Sequence, residues 1–231
     1  MKTMEKKREV RLTTPRSFLA TMDIFEGLPA SQLAELGRRL VEKKFAKHES
    51  ILLEGDPAEF VWFVKSGHVK TQTHAASGRC QTLCLVGPGK MFGSCCSLGK
   101  GQYVCQALAE SDVTVVSCPM DDFLSILSKN PALASKLAVQ LSHRLRHSME
   151  VQVFEQESVE KRILRVLVDL TAEFGLTIPL TRREIAEMVG TTVETSIRTF
   201  SKLEEEGLVA TERGKITVPD LDELTDRLDE I

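Results

Sequence analysis

Long hydrophobic runs are missing from this sequence. No apolar stretch approaches the roughly 18 to 20 residues needed to cross a bilayer, so no membrane-spanning helix is expected. The basic N-terminus, MKTMEKKREVRLTTPRSF, is followed by no apolar segment, which argues against a secretory signal. We therefore expect a cytoplasmic protein with no membrane partner.

A strong charge of either sign is also missing. The 231 residues carry a formal net charge of −3, with 42% hydrophobic and 27% charged residues. This composition is typical of a globular protein of one to two domains. A strongly basic chain would have indicated nucleic-acid binding by itself, and this balance does not. It does not exclude DNA either, because a local basic face is sufficient.

Cysteine is absent from residues 1–79 and 119–231. The six cysteines lie between these segments, and no two have the C-x₂-C spacing of many metal sites. Because disulfide frameworks are rare in cytosolic proteins, the clustering calls for another explanation. The six residues are Cys80, Cys84, Cys95, Cys96, Cys105 and Cys118.

Residues 44–118 show a period of two, in which short apolar stretches alternate with turn residues at intervals of roughly ten. This pattern predicts an antiparallel sandwich or barrel. The turns are predicted at Gly55-Asp56, Ser66-Gly67, Ser77-Gly78 and Gly87-Pro88-Gly89.

Leucine recurs every four residues along the segment that follows Asn130-Pro131. The segment predicts a long helix whose apolar stripe exceeds what one small barrel can cover. One interpretation is a helix that lies on its own domain. The other, which we favour, is a coiled coil between two identical subunits. The predicted dimer contacts are Leu133, Leu137, Leu141 and Leu145.

Two helix starts lie ten residues apart near the C-terminus. Thr181 and Glu184 have the spacing of a capping box, and so do Thr191 and Glu194. So short a connection through Gly190 predicts a helix-turn-helix. Segments 208–211 and 216–218 then predict a hairpin, which makes the motif a winged helix-turn-helix.

The second helix of such a motif enters the DNA major groove with its N-terminal residues foremost. We predict that Val193, Ile197, Phe200 and Leu203 form its apolar side, and that Glu194, Thr195 and Arg198 face bases. A guanidinium suits guanine, and a carboxylate accepts from the cytosine amino group. The alternative is that Glu194 and Arg198 form an ordinary surface ion pair. Predicted phosphate contacts are Thr191, Thr192, Arg182, Arg183, Ser201, Lys202, Arg213 and Lys215.

The predicted fold class is α+β, with four segments in chain order. They are an N-terminal arm (1–22), the antiparallel sandwich or barrel (23–130), a dimerisation helix (131–157) and a winged helix-turn-helix (158–231).

Nearly the whole chain resembles the CRP/FNR family of bacterial transcription regulators. The stretches that carry the resemblance are LTRREIAEMVG, TVETSIRTFSKLEEEGLV and GKITV near the C-terminus, and IFEGLP, ILLEGDPAEFVWFVKSGHVK and GPGKMFG in the N-terminal half. The resemblance implies that residues 23–130 form a cupin-like sensor β-roll (a double-stranded β-helix) with the fold of a cyclic-nucleotide-binding domain, followed by a dimer helix and a DNA-binding winged helix. It places Glu194 and Arg198 at base-reading positions, whereas Val193 and Ile197 stand where family members carry an arginine and a serine.

The sensor half departs from the cyclic-AMP branch of the family. Ser94 stands where that branch has a ribose-binding glutamate, and Val104 and Cys105 stand near its arginine and serine. A buried phosphate needs a charged partner, so the resemblance does not extend to cyclic AMP. The FNR branch holds an iron–sulfur cluster through N-terminal cysteines, and none precedes Cys80 here.

The nature of the signal stays open at this stage. Cys80, Cys84, Cys95, Cys96 and Cys105, with Ser94, are the effector or redox candidates. The cysteines are compatible with a thiol switch, a metal or Fe–S site, haem, an organic effector, or simply small buried side chains. No metal is assigned. Haem would take a cysteine or one of His48, His68, His74, His143 and His147 as its axial ligand.

The predicted function is a homodimeric, sequence-specific DNA-binding regulator, and not an enzyme. Its expected partners are double-stranded DNA, a second copy and RNA polymerase, the last through residues 173–177 by resemblance. The alternative is a metal-dependent cupin-type enzyme, which the scattered histidines disfavour because metal-binding cupins cluster their ligands.

Overall fold

The computed structural model describes residues 18–74, 80–94, 101–154 and 157–231. They form a first unit within residues 18–145 and a second unit that includes residues 146–231. No helix in the described ranges is both long and apolar enough to cross a bilayer.

Two four-stranded sheets form the centre of the first unit. The eight strands are β1 (Val41–Phe45), β2 (Ser50–Leu52), β3 (Phe60–Ser66), β4 (Val69–His74), β5 (Cys80–Val86), β6 (Met91–Phe92), β7 (Gln106–Ala109) and β8 (Val113–Pro119). The sheet orders are β1-β8-β3-β6 and β2-β7-β4-β5. The pairings of β3 with β8 and of β4 with β7 are antiparallel. The predicted β-roll is therefore confirmed.

Strand β3 is buried on both faces, and each face belongs to a different core. Trp62 and Val64 face a core that lies between the two sheets. Val61 and Phe63 face a second core, which packs helical segments against the outer side of the β1-β8-β3-β6 sheet. This explains why β3 reads as a nearly continuous apolar run, FVWFV, instead of an alternating one.

The first unit contains helices α1 (Ala30–Gly37) and α2 (Met120–Lys129), and the long helix α3 (Pro131–Phe154) begins there. Leu133 and Leu137 of α3 are buried in the second core. These two residues were predicted as contacts with another subunit, and that prediction is wrong, because their own subunit already covers them. Leu19 and Met22 are buried in the same core, so residues 18–22 belong to the folded unit and not to an arm.

The second unit is a small helical domain with a three-stranded sheet. It contains α4 (Val159–Phe174), β9 (Thr177–Ile178), α5 (Arg182–Val189), α6 (Val193–Glu205), β10 (Ala210–Glu212), β11 (Lys215–Thr217) and α7 (Leu221–Glu230). The sheet order is β10-β11-β9, and β10 and β11 form the predicted hairpin. The α+β fold class and the winged helix-turn-helix are confirmed.

The start of each helix in the motif can be checked against its cap. Thr181 and Glu184 form the predicted capping box in front of α5. The cap of α6 is Thr192, one residue after the predicted Thr191. Thr191 cannot start α6, because its N–H donates to the Ala186 carbonyl and so completes the end of α5.

Candidate nucleic-acid interface

The orientation of α6 decides which side chains the protein offers to solvent. Ser196, Phe200 and Leu203 face the core and are fully buried. The Ser196 hydroxyl donates to the Arg182 carbonyl at 2.9 Å, so a polar residue is satisfied on the core face. Val193 and Ile197 are 41% and 43% exposed. The prediction that Val193 and Ile197 belong to the buried apolar side of α6 is therefore wrong. Ser196, a polar residue, faces the core instead.

Glu194 and Arg198 lie on the exposed side of α6, near its N-terminal end. They are one helical turn apart, yet they form no ion pair with each other. Among the described residues neither side chain has a hydrogen-bond or ion-pair partner. The structure therefore does not show the alternative, a surface ion pair between Glu194 and Arg198. Both charged groups are available to an outside partner.

Thr195 occupies a different position from these two residues. It is half-buried, and its hydroxyl lies 2.9 Å from the Thr192 hydroxyl. Its N–H donates to the same Thr192 oxygen. Thr195 therefore takes part in the cap of α6, at one edge of the exposed face.

Arg182, predicted as a phosphate contact, joins three elements of the second unit. Its guanidinium lies 3.0 Å from a Glu204 carboxylate oxygen and also donates to the Thr211 hydroxyl. It lies over the Phe200 ring at 6.0 Å from the centroid, which is cation–π distance. These contacts engage the Arg182 guanidinium, and they connect α5 to α6 and to β10 of the wing.

Glu204 is the acceptor in this cluster. The Thr211 hydroxyl and N–H both donate to it, and Arg182 adds a positive charge. The pKa of Glu204 is lowered below its usual value. The hydrogen bond from the Thr211 hydroxyl is the largest cause, and the positive charge of Arg182 lowers the pKa further. The carboxylate is therefore ionised wherever the winged helix is folded near neutral pH.

Lys202 is also engaged within the second unit. Its ammonium lies 2.6 Å from Glu160 and 3.8 Å from Glu206. Arg227 donates to the same Glu160 carboxylate at 2.6 Å. The network ties α4, α6 and α7 together, so the Lys202 charge is largely compensated by the protein itself.

The other predicted phosphate contacts lie near α6 in sequence or on the wing. Arg183 and Arg213 are exposed, and Arg183 pairs loosely with Glu187 at 3.6 Å. Lys215 on the wing pairs with Glu212 at 3.2 Å. Thr191 and Ser201 are half-buried, and Thr192 is exposed at the N-terminus of α6. Exposed pairs of this kind are weak and can exchange for phosphate.

Three residues of this region were missed by sequence reasoning. Ser196, Glu204 and Glu160 hold α6 in place, and none of them was predicted as a functional residue. For Ser196 a signal existed, because residues 196, 200 and 203 have helical spacing. No sequence signal pairs Glu204 with Arg182 or Glu160 with Lys202, since both pairs form across different elements.

In the β-roll, Ser94 is fully buried and its hydroxyl has no hydrogen-bond partner among the described residues. It follows Gly93, which has a φ of +77°. A Cβ at Gly93 would come within 3.2 Å of both Trp62 and Tyr103, so the backbone packs directly against two rings. The Tyr103 hydroxyl accepts from Trp62 Nε1 at 3.0 Å and donates to the Phe60 carbonyl at 2.8 Å.

The cysteines lie close in sequence, but those that the structure describes are not brought together in space. Cys80 and Cys84 lie four residues apart on β5, roughly 13 Å along the strand, whereas a disulfide needs Cα atoms within about 7 Å. Strand β4 separates Cys84 on β5 from Cys105, which directly precedes β7, again by more than this limit. No disulfide joins any two of the four described cysteines.

Cys84 and Cys118 have well-defined surroundings. Cys84 Sγ lies 3.2 Å from the Thr71 hydroxyl. Cys118 is fully buried in the second core, and burial, with a smaller effect of Asp122, raises the pKa of its thiol to about 12. It behaves as a small apolar side chain. Cys95 and Cys96 lie outside the described residues.

Metal ligands are not clustered in the part of the chain that the structure describes. No group of three or more His, Cys, Asp and Glu side chains there could hold a metal ion. His48 and His143 are exposed, and His68 is half-buried. The side chains of His74 and His147 lie outside the described residues.

Comparisons with known proteins match both units. Residues 42–130 match the cyclic nucleotide-binding domain family, and residues 161–227 match the Crp-like helix-turn-helix domain family. The global nitrogen regulator of Synechococcus elongatus is 30% identical over 188 residues, which cover 76% of this chain and 84% of that protein. The CRP-like cAMP-activated global transcriptional regulator of Mycobacterium tuberculosis is 28% identical over 220 residues, or 90% and 97% of the two chains.

A solved structure shows the same fold. FixK2 from Bradyrhizobium japonicum superposes with a TM-score of 0.72 at 24% identity, over 81% of this chain and 96% of that chain. The order of β-roll, long helix and winged helix, the exposed charged pair on α6 and these similarities agree with one another. The chain belongs to the CRP/FNR family of DNA-binding transcription regulators, which combine an effector-binding domain with a helix-turn-helix.

Proposed function

We propose that the protein is a homodimeric regulator that binds an inverted-repeat DNA site through α6, under the control of a signal received by the β-roll. The observation that carries this proposal is the pair Glu194 and Arg198. Both are exposed on the leading turns of α6, and neither is used by the described part of the protein. Charged groups left unpaired at this end of a helix-turn-helix are placed to meet base edges.

The chemistry of the pair favours a G·C step. A guanidinium donates two hydrogen bonds to the guanine O6 and N7, and a carboxylate accepts from the cytosine N4 amino group. Arg183, Arg213 and Lys215 supply positive charge for the phosphates, which fix position without reading sequence. A two-fold dimer would present the second α6 about one helical turn of DNA away, roughly 34 to 36 Å.

The dimer contact is proposed at the apolar side chains of α3 that its own unit leaves exposed. Val139 and Leu145 are 56% and 64% exposed there, whereas Leu133 and Leu137 are buried. Leu141, four residues before Leu145, is half-buried against the second core. Two exposed apolar residues on one helix are better explained by a second copy than by solvent.

The signal is proposed to be something other than a cyclic nucleotide, although relatives are named for cyclic AMP. Ser94 offers a buried hydroxyl in place of a carboxylate, and Val104 is an exposed apolar side chain. Neither can compensate a cyclic phosphate or grip a ribose as an ionised pair would. Cyclic AMP should therefore leave the fluorescence of Trp62, the single tryptophan, unchanged.

RNA polymerase is proposed as a further partner, through the turn between α4 and β9. Leu176 is 46% exposed in this turn, directly after Gly175. An exposed leucine on a short turn is suited to a protein contact.

The test is a selection of bound duplexes from a randomised pool, followed by affinity measurements on the selected site. We expect an inverted repeat with a G·C pair in each half-site, and Arg198→Ala should lower the affinity roughly 5- to 150-fold per half-site. Glu205→Ala, an exposed charge at the far end of the same helix, is the matched control and should change little. A pool with no symmetric preferred sequence, with or without cell extract, would refute the proposal.

A further inference from the structure

The exposed face of α6 carries two neighbouring ridges of different chemistry. Glu194 and Arg198 form the charged ridge, and Val193 and Ile197 form an apolar one. Residues that follow each other in a helix are about 100° apart, so the two ridges run side by side along the helix. Each ridge extends over one turn, starting at the N-terminal end of α6.

The apolar ridge is not explained by the fold of its own unit. Ser196, Phe200 and Leu203 already fill the core side of α6, and Val193 and Ile197 remain 41% and 43% exposed. Helix propensity does not favour them either, because β-branched side chains lose rotamer freedom in a helix. A partner with apolar groups at the same place would account for them.

In the major groove the only apolar group on a base edge is the thymine 5-methyl. We propose that Val193 and Ile197 contact thymine methyl groups next to the G·C pair read by Glu194 and Arg198. This inference rests on the proposed function and adds a second determinant of sequence, made by van der Waals contact and not by hydrogen bonds. It assigns a role to two exposed apolar residues of α6 that the core of the second unit does not use.

The geometry limits where the thymines lie. Cβ atoms at i and i+4 on a helix are about 5 to 6 Å apart, whereas stacked bases rise about 3.4 Å per step. The apolar ridge therefore spans about two base-pair steps, and it runs beside the charged ridge. The contacted methyl groups should fall within one or two steps of the G·C pair in each half-site.

The methyl group can be removed from the DNA without changing any hydrogen bond, by replacing thymine with uracil. Burying one methyl is worth about 0.8 kcal/mol, which corresponds to about a fourfold change in affinity. We expect each substitution at a contacted position to weaken binding about 3- to 5-fold per half-site. Uracil at thymines elsewhere in the selected duplex is the control and should have no effect.

Variants of the protein identify the side chain responsible. Ile197→Ala should abolish the uracil effect at one position, and Val193→Ala should abolish it at another, while both keep the requirement for the G·C pair. Leu53→Ala removes an exposed apolar side chain of the first unit and should keep both uracil effects. Circular dichroism of each variant checks that the winged helix still folds, which alanine in a helix favours.

The outcomes separate this inference from the proposed function. If uracil binds as well as thymine at every position, while Arg198→Ala still weakens binding, the thymine contact is refuted and the DNA-binding function stands. If the uracil effect persists unchanged in Ile197→Ala and Val193→Ala, other groups read the methyls and the assignment is wrong. If no specific site exists at all, the proposed function fails and this inference fails with it.

Discussion

Leu137 and Leu145 lie on the same helix, but the structure gives them opposite environments. Leu137 is 5% exposed in the second core, and Leu145 is 64% exposed. Their substitution by alanine should therefore affect two different equilibria. Leu137→Ala should lower the free energy of unfolding of the first unit, and Leu145→Ala should weaken the association of two copies.

The magnitudes follow from burial. A Leu→Ala change in a packed core costs about 2 to 5 kcal/mol, and we expect about 3 kcal/mol at Leu137, or a loss of roughly 10 °C in Tm. The start of α3 is also held by Lys136, whose ammonium donates to the Asp23 and Glu26 carbonyls at 3.2 and 3.0 Å, so the helix cannot shift freely to fill the cavity. Burying Leu145 against a partner is worth about 1.5 kcal/mol per copy, so its loss should raise the dimer Kd roughly 100-fold.

The single tryptophan makes the assay specific to the first unit. Trp62 is buried in the β-roll, so its fluorescence in urea reports the unfolding of that unit. Because dimerisation also stabilises the fold, unfolding is measured at several protein concentrations, and association is measured separately by sedimentation. If Leu137→Ala changed only association while Leu145→Ala changed only unfolding, the assignment of Leu137 to the core and of Leu145 to the dimer contact would be refuted.

Two further predictions concern titratable groups. The lowered pKa of Glu204 means that its contribution to stability is present above the unfolded value of about 4.3 and is lost as the pH falls through the lower folded value. We expect the free energy of unfolding, followed by circular dichroism between pH 3 and 6, to fall with pH in the native chain and to fall less in Glu204→Gln. Equal losses of stability in both proteins would contradict this prediction. The pKa of Cys118, raised to about 12, keeps its thiol neutral, so iodoacetamide at pH 8 should modify it only after unfolding. The half-buried Cys84 is the internal comparison, and equally fast labelling of both by mass spectrometry would show that the Cys118 thiol is not protected.

The wing and α6 are connected by side chains and not only by the chain. Arg182, Glu204 and Thr211 come from α5, α6 and β10, and their bonds fix the wing relative to the charged ridge of α6. Arg182 was predicted to contact phosphate, and its guanidinium here donates to Glu204 and to the Thr211 hydroxyl. Positioning groups of this kind can change DNA affinity without contacting DNA.

The cysteines show how clustering in sequence differs from clustering in space. Cys80 and Cys84 share one strand face but are too far apart to bond, and Cys118 lies in a different core. A thiol switch that joins two of the four described cysteines within one chain is therefore not supported by this geometry.

Much of the architecture could be predicted from the sequence, because it depends on local physics. The change from a period of two to a period of 3.6, the capping box at Thr181 and the glycine before α6 together specified a β-roll, a long helix and a winged helix. The exposed positions of Glu194 and Arg198 followed from the same helical period.

Tertiary structure alone decided which face of each helix is covered. The leucine stripe on α3 does not by itself determine whether its own subunit or a second copy buries it. In the structure Leu133 and Leu137 are buried, whereas Leu145 is exposed. On α6, hydrophobicity predicted that Val193 and Ile197 face the core. In the structure Ser196 faces the core instead, because its hydroxyl donates to the Arg182 carbonyl. The physical reason is that burial depends on partners distant in sequence: a polar group can be buried once it is hydrogen-bonded, and an apolar one stays exposed when nothing packs over it.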